Sequence, residues 1–157
     1  RKNLDVIAFL LNNNLTISCA ESCTGGLLSA RFVAHSGISK IFHEGIIAYS
    51  NSAKINRLGV DKKTLENFGA VSNKTALEML KNFKTDIAIS TTGFAEANPD
   101  DLNQPAGLVY IGLKIKNNYF VKKFNFTGLR LKIQRQAVDS ALDFLSSELQ
   151  KLKNIFL

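Results

Sequence analysis

The stretch Ala20-Glu21-Ser22-Cys23-Thr24-Gly25-Gly26 is the most informative part of the chain. An apolar strand pattern covers residues 15–19 before it, and a helical pattern covers residues 27–33 after it. A small, hydroxyl-rich turn that ends in two glycines therefore joins the carboxyl end of a strand to the N-terminus of a helix. Unpaired backbone N–H groups and the positive end of the helix dipole point outward at such a turn. It can bind an anion, or hold an oxyanion beside a serine.

Length and composition indicate a single domain over residues 1–157, because 45% of the 157 residues are hydrophobic and can form a proper core. No apolar run approaches the length of a membrane span and no signal-peptide pattern opens the chain. We therefore expect a cytoplasmic protein without a membrane partner. Cys19 and Cys23 are the only cysteines, and two cysteines alone cannot form a structural zinc site. Both are expected to be small buried residues in a reducing compartment.

The net charge of +7 also bears on function. A basic surface is typical of proteins that bind nucleic acid or anionic ligands. The lysines are scattered along the chain, and no aromatic-interleaved RNA-binding motif is present. We therefore expect a solvated basic face and no nucleic-acid partner, with a field that favours an anionic small-molecule substrate.

Hydrophobic periodicity predicts an α/β domain. The second strand is nearly all apolar, which predicts burial on both faces, and Asn117-Asn118 predicts a two-residue hairpin turn. Helices before and after buried strands favour a three-layer α/β/α sandwich with a mixed, mainly parallel sheet, whose ligands bind at the carboxyl ends of the strands. Helices are predicted over residues 4–11, 27–35, 53–58, 61–68, 72–83 and from 129 onward, and strands over residues 15–19, 45–49, 86–92, 108–115 and 119–126.

Three residues predict where helices begin and end. Gly59 is suited to a left-handed C-cap, and Asp61 and Ser72 are suited to N-caps. These residues divide the middle of the chain into three short helices.

Ser22 is the candidate nucleophile of the turn. Amide hydrolysis needs a nucleophile, a proton acceptor and a stabilised oxyanion, and a serine must lose its proton to a neighbouring base. His35 and His43 are the only histidines, and His35 lies at the far end of the helix that begins at the turn. No Ser-His-Asp triad is evident. The residues alone therefore favour a simple helix-capping role for Ser22.

Residues just after the second strand are candidates for the other polar groups. Lys54 is the candidate base, because a lysine in a partly dry pocket has a lowered pKa and can accept a proton. A serine–lysine pair then needs no histidine. The alternative is an ordinary exposed lysine. The Tyr49 hydroxyl is a candidate to relay the proton between Ser22 and Lys54 or to donate to the leaving nitrogen. An equally good explanation is an aromatic residue at the end of a strand whose hydroxyl is exposed to water. Ser50 and Asn51 are expected to form the turn and to bind substrate.

The turn itself offers several candidate substrate contacts. Backbone N–H groups of Cys23, Thr24, Gly25 and Gly26 are candidates to bind a phosphate or an oxyanion, and the alternative is a tight turn that needs glycine. A helix N-terminus lowers the pKa of a thiol, but packing is the favoured role of the Cys23 side chain. For Glu21 a ribose contact or a structural role is favoured, because pairing with the candidate base would raise the lysine pKa and weaken it.

The third strand and the last helix supply the remaining candidates. Thr92 and Gly93 end the strand and are expected to line the same pocket. Arg130 suits a carboxylate or a phosphate, although an exposed arginine at a helix start is a close alternative.

Six sequence blocks follow one another in order and span almost the whole chain. Together they resemble the CinA C-terminal domain family, the nicotinamide-nucleotide amidohydrolases. Any one block is weak, whereas the ordered set is specific. The blocks are residues 20–26, residues 45–54 with their continuation at 58–60, residues 68–72, residues 88–93, residues 105–111, and the basic segment 126–135.

The resemblance implies a deamidase that converts nicotinamide mononucleotide and water to nicotinic acid mononucleotide and ammonia, with no metal or organic cofactor. It reverses the preference for a capping role of Ser22 and raises Lys54 above the ordinary exposed lysine. Because the family tends to self-associate, it also implies a homo-oligomer.

The loop after Gly93 departs from the family pattern. Where the family carries a glycine-rich loop, this chain has Glu96, followed by Asp100 and Asp101. A solvated acidic loop is favoured over a metal site, because no histidine is near. New negative charge would repel a phosphate, which motivates an alternative: an inactive family member that serves as a nucleotide-binding or interaction module. Leu129 is a second departure, because the family commonly has an acidic residue before the arginine.

Overall fold

A five-stranded sheet organises the protein, and β1 (Ile17–Glu21) runs through its interior. The computed structural model describes residues 5–101 and 103–156, with side chains to residue 152. The other strands are β2 (Phe42–Ile47), β3 (Ile87–Gly93), β4 (Leu108–Ile115) and β5 (Asn118–Asn125), and the spatial order is β2-β1-β3-β4-β5. β1 is parallel to β2 and β3, and the β3–β4 and β4–β5 pairs are antiparallel, so four of the five strands point the same way. The prediction of a mixed, mainly parallel sheet is confirmed.

Helices cover both faces of the sheet, as the three-layer prediction requires. Successive strand residues point to opposite faces, so Cys19 packs in one hydrophobic cluster and Ala20 in the other. The first cluster includes α1 (Val6–Asn12), α2 (Leu27–Val33) and α6 (Arg130–Phe156), and the second includes α3 (Asn51–Leu58), α4 (Lys62–Phe68) and residues around α5 (Asn73–Glu78). A short 3₁₀ helix, Ile38–Lys40, precedes β2.

The predicted caps are present. Gly59 ends α3 in the left-handed region at φ 74°, where a glycine is favoured. The side chain of Asp61 accepts a hydrogen bond from the Lys63 N–H, and that of Ser72 accepts one from the Thr75 N–H. Local side-chain chemistry therefore fixes the ends of these helices.

The prediction for the second strand is wrong in its burial. β2 lies at an edge of the sheet, and Glu44, Gly45 and Ile47 are exposed. An apolar run of this length does not distinguish an edge strand from a central one, because strand order depends on distant parts of the chain. β2 also begins three residues earlier than predicted, at Phe42.

Two further bounds differ from the prediction. The β4–β5 hairpin turn consists of Lys116 and Asn117, one residue earlier than predicted, since Ile115 pairs with Asn118. α5 ends at Glu78 rather than near Phe83. Buried apolar residues in the turns that follow α5 continue a helical spacing without helical structure. The first residue of the predicted helix 4–11 lies outside the described residues.

Candidate active site

The carboxyl ends of three parallel strands bring the principal candidates together. Ser22 directly follows β1, and its N–H donates to the Thr91 carbonyl of β3 at 3.0 Å. Tyr49 lies two residues after β2, and Lys54 lies in α3, which begins at the Ser50 N-cap. Residues 32 positions apart in sequence thus meet at one edge of the sheet.

Ser22 and Lys54 are in direct contact. The Lys54 Nζ lies 2.9 Å from the Ser22 Oγ, and the two residues are 1% and 6% exposed, respectively. Nζ also donates to the carbonyl oxygens of Ala48 at 3.1 Å and Tyr49 at 3.0 Å. A carbonyl accepts and never donates. Two N–H bonds of a neutral amine are therefore committed to the carbonyls, and its lone pair is left to face the serine hydroxyl.

Burial lowers the pKa of Lys54, because the ammonium form loses hydration. The ion pairs of the described residues include no carboxylate beside Lys54. None of these ion pairs therefore raises the pKa back toward its ordinary value. A lysine in this setting is a suitable proton acceptor for serine.

Tyr49 does not lie between these two residues. Its side chain is 57% exposed, and its hydroxyl accepts a hydrogen bond from Arg130 Nη1 at 3.3 Å. Only its backbone carbonyl contacts the Lys54 amine. The predicted proton relay through the Tyr49 hydroxyl is therefore wrong, since Lys54 reaches Ser22 directly. A contact with the leaving group stays a prediction.

Glu21 holds the turn together from inside the protein. Its side chain is 0% exposed, and its carboxylate accepts hydrogen bonds from the Gly26, Leu28 and Ser29 N–H groups at 3.1, 2.9 and 2.8 Å. The Thr24 hydroxyl donates to it at 2.6 Å. Glu21 thus satisfies the free N–H groups of α2 and has the structural role. The prediction that it binds a ribose is wrong, because no part of it reaches solvent.

The same contacts correct the predicted anion site in the turn. The Gly26 N–H is bound to Glu21, and the Gly25 N–H donates to the Ser22 carbonyl at 3.1 Å. Both glycines have positive φ, 57° and 105°, so they are required by the tight turn. Thr24 is buried, and its hydroxyl serves Glu21. The N–H groups of both glycines and the Thr24 hydroxyl are thus bound within the turn, and none of the three residues lines the cleft beside Ser22.

The thiol and the backbone N–H of Cys23 have different roles in the site. Burial raises the pKa of its thiol to about 12, so it is not a thiolate near neutral pH and the packing role applies. Among the described residues, its N–H has no hydrogen bond to another residue, and Cys23 lines the cleft beside Ser22. That N–H is the available donor for an oxyanion at Ser22.

An open cleft of about 250 Å³ surrounds the pair. Eight of the predicted residues line it, whereas Ser50 does not: it is exposed, and its hydroxyl caps α3 by accepting from the Ala53 N–H. The predicted substrate contact of Ser50 is therefore not supported. The eight are Ser22, Cys23, Tyr49, Asn51, Lys54, Thr92, Gly93 and Arg130.

Sequence reasoning missed one wall of the cleft. Ala70 and Val71, in the loop after α4, and Phe94, Ala95 and Glu96, after β3, also line it. The first two fall in a block that supports the family resemblance, which was the available signal. The Thr92 hydroxyl donates to the Ala70 carbonyl at 2.7 Å and so joins the end of β3 to the loop after α4.

Exposed charges surround the opening of the cleft. Arg130 Nη2 donates to Glu96 Oε1 at 2.7 Å, with side chains 45% and 65% exposed. This contact lowers the pKa of Glu96 and raises that of Arg130, because each partner stabilises the charge of the other. We call Tyr49, Glu96 and Arg130 the rim, and Ser22 and Lys54 the floor.

In residues 5–101 and 103–156, no group of three or more His, Cys, Asp or Glu side chains is placed to hold a metal ion. Within the same part of the chain, no helix combines the length and apolar character of a membrane span.

This geometry defines an α/β domain with a buried serine–lysine pair at the carboxyl ends of parallel strands. The chain belongs to the CinA C-terminal domain family, which matches residues 2–149. A competence-damage inducible protein of Clostridium tetani is 52% identical over 145 residues, covering 90% of this chain and 36% of the relative. A CinA-like protein of Kosmotoga olearia is 49% identical over 151 residues, covering 94% and 37%.

Solved structures share the fold. The crystal structure of competence damage-inducible protein A from Klebsiella pneumoniae has a TM-score of 0.87 at 32% identity, with 92% of each chain covered. That of a competence/damage inducible protein from Agrobacterium tumefaciens has a TM-score of 0.84 at 34% identity, with 89% of this chain and 88% of that chain covered. The chain spans little more than a third of the length of the curated relatives it matches.

Proposed function

We propose that this domain is a serine–lysine amidohydrolase that converts nicotinamide mononucleotide and water to nicotinic acid mononucleotide and ammonia. The reaction type rests on the floor of the cleft, and the substrate rests on the resemblance to the nicotinamide-nucleotide amidohydrolases. One observation carries the proposal: the amine of a buried lysine, with a lowered pKa, lies 2.9 Å from a serine hydroxyl in an open cleft. A lysine that only stabilised the fold would gain from a carboxylate partner.

The first half of the reaction uses the floor and one backbone group. The Ser22 Oγ attacks the carboxamide carbon while Lys54 Nζ takes the hydroxyl proton. The tetrahedral oxyanion accepts a hydrogen bond from the Cys23 N–H. The intermediate then collapses, Lys54 gives its proton to the leaving nitrogen, and ammonia departs. An ester between Ser22 and the nicotinoyl group is left.

The second half repeats the same proton transfers with water. Lys54, neutral again, takes a proton from water, and the hydroxide attacks the ester carbon. Collapse of the second tetrahedral intermediate returns the proton to the Ser22 oxygen and releases the acid. Because the pKa of Lys54 is lowered, the neutral base becomes populated below the ordinary lysine pKa of about 10.4. Activity therefore rises with pH through the lowered pKa and levels off below about pH 10.4.

Ammonia release from nicotinamide mononucleotide tests the proposal. Ser22→Ala and Lys54→Ala are each expected to lose at least about a thousandfold in kcat, since each removes a group that acts on the reacting atoms. Matched controls are Ser52→Ala and Lys63→Ala, which change exposed residues outside the cleft and are expected to keep the wild-type rate.

Two results would contradict the proposal. The first is a wild-type protein that releases no ammonia at substrate concentrations well above typical KM values. Nucleotide binding by calorimetry without turnover would then favour the binding-module alternative. The second is a Lys54→Ala variant that keeps its rate, which would leave Ser22 without its base.

A further inference from the structure

The rim contains an ion pair inside the candidate substrate cleft. Arg130 Nη2 and Glu96 Oε1 are 2.7 Å apart, and both residues line the cleft that holds Ser22 and Lys54. The other end of the guanidinium donates to the Tyr49 hydroxyl at 3.3 Å. Arg130 thus contributes no unopposed positive charge to this opening.

The Glu96–Arg130 pair affects the binding of a phosphate in two ways. A guanidinium is the preferred partner of a phosphate because its donors form a planar fork. A phosphate that uses that fork at Arg130 competes with the Glu96 carboxylate for Nη2. It then lies within a few ångströms of a second anion, and like charges at that distance repel each other. A ligand without a phosphate neither competes with Glu96 for Arg130 nor is repelled by the Glu96 carboxylate.

We propose that Glu96 is a specificity-determining residue that competes with the substrate phosphate for Arg130. It weakens binding of the phosphorylated nucleotide and leaves binding of the corresponding nucleoside unaffected. The inference rests on the proposed function for the identity of the ligand. The cleft therefore prefers a phosphorylated ligand over an unphosphorylated one by less than it would if Arg130 had no carboxylate partner.

Glu96 is distinct from the other acids of its loop. Asp100 is also exposed, and no ion pair to it is found among the described residues. It does not line the cleft. Asp100→Asn therefore removes the same charge from the same loop without releasing Arg130, and it serves as a matched control for Glu96→Gln.

Isothermal titration calorimetry tests the inference in a Ser22→Ala background, where turnover is prevented. The ligands are nicotinamide mononucleotide and nicotinamide riboside, at about 50 mM salt, where screening is weak. With Glu96→Gln the Kd of the nucleotide is expected to fall about tenfold and that of the riboside to stay within twofold. Asp100→Asn is expected to leave both values within twofold. The tenfold gain is expected to shrink as salt is raised.

Four outcomes would overturn the inference. The first is an unchanged nucleotide affinity in Glu96→Gln, and the second is an equal gain in affinity for both ligands. The third is an equal gain in Asp100→Asn, and the fourth is the absence of nucleotide binding in every variant. Because binding is measured without turnover, a failure of the amidohydrolase proposal, seen as no ammonia release by the wild type, is recorded separately.

Discussion

The floor and the rim of the cleft place a positive charge in opposite environments. Lys54 on the floor is 1% exposed, and among the described residues its amine hydrogen-bonds to one hydroxyl and two carbonyls. Arg130 on the rim is 45% exposed and contacts a carboxylate. Burial lowers the pKa of Lys54, whereas the ion pair raises that of Arg130.

The difference assigns separate tasks to the two regions. A lysine with a lowered pKa can lose and regain a proton during a reaction. An arginine stays charged and can only attract or orient an anion. The floor is therefore suited to chemistry and the rim to selection, and the following substitutions test whether the two tasks are separable.

The largest expected effect comes from making the floor resemble the rim. Lys54→Arg keeps a positive charge but cannot accept a proton, since a guanidinium does not deprotonate in proteins. We expect a loss of about a thousandfold or more in kcat for ammonia release. A thermal melt close to that of the wild type shows that the longer side chain is accommodated. If the variant keeps a tenth of the wild-type rate, Lys54 acts by its charge and not as a base.

The second-largest effect is expected at Glu21, whose carboxylate holds the turn that follows Ser22. Glu21→Gln replaces a buried carboxylate that accepts three N–H bonds and one hydroxyl bond. An amide has one oxygen acceptor and brings N–H donors toward the other backbone N–H groups. We expect the free energy of unfolding to fall by about 2 kcal/mol, measured by urea denaturation. Glu44→Gln, at an exposed position of β2, is the control and is expected to change stability by less than about 0.5 kcal/mol. Equal losses in the two variants would refute the capping role.

The smallest effect is expected on the rim. Tyr49→Phe removes a hydroxyl that contacts Arg130 and not the floor. Because Lys54 reaches Ser22 directly and, in the proposed mechanism, also protonates the leaving nitrogen, we expect kcat to change by less than about threefold, compared with the 10²–10⁴-fold that a lost general acid or base costs. A loss of a hundredfold, measured in the same ammonia assay, would restore the tyrosine to the proton path.

Local sequence features predicted most of the fold. The caps at Gly59, Asp61 and Ser72 act within their own helices, so their residue types were sufficient. The edge position of β2 was not predictable, because it depends on which strands pair with β1. The helix after Ser72 was predicted too long, since buried residues in a turn mimicked helical spacing.

The candidate site, like the fold, was predictable only where local sequence determines it. Ser22 and Lys54 were identified from the family resemblance, and the turn chemistry left several roles open. The contacts that decide those roles are three-dimensional. A carboxylate at Glu21 is able either to cap α2 or to face a ligand, and only its orientation distinguishes the two. The Glu96–Arg130 pair joins residues 34 positions apart, so no local pattern reports it.

The proposed mechanism requires that Lys54 has a lowered pKa beside Ser22 and so acts as the base. An NMR titration of protein with ¹³C-labelled lysine tests it most directly, with the Lys54 signal assigned through its loss in Lys54→Arg. We expect the Lys54 amine to titrate with a midpoint below the ordinary lysine value of about 10.4. A midpoint at or above that value would rule Lys54 out as the base, because the amine would then be an ammonium ion near neutral pH.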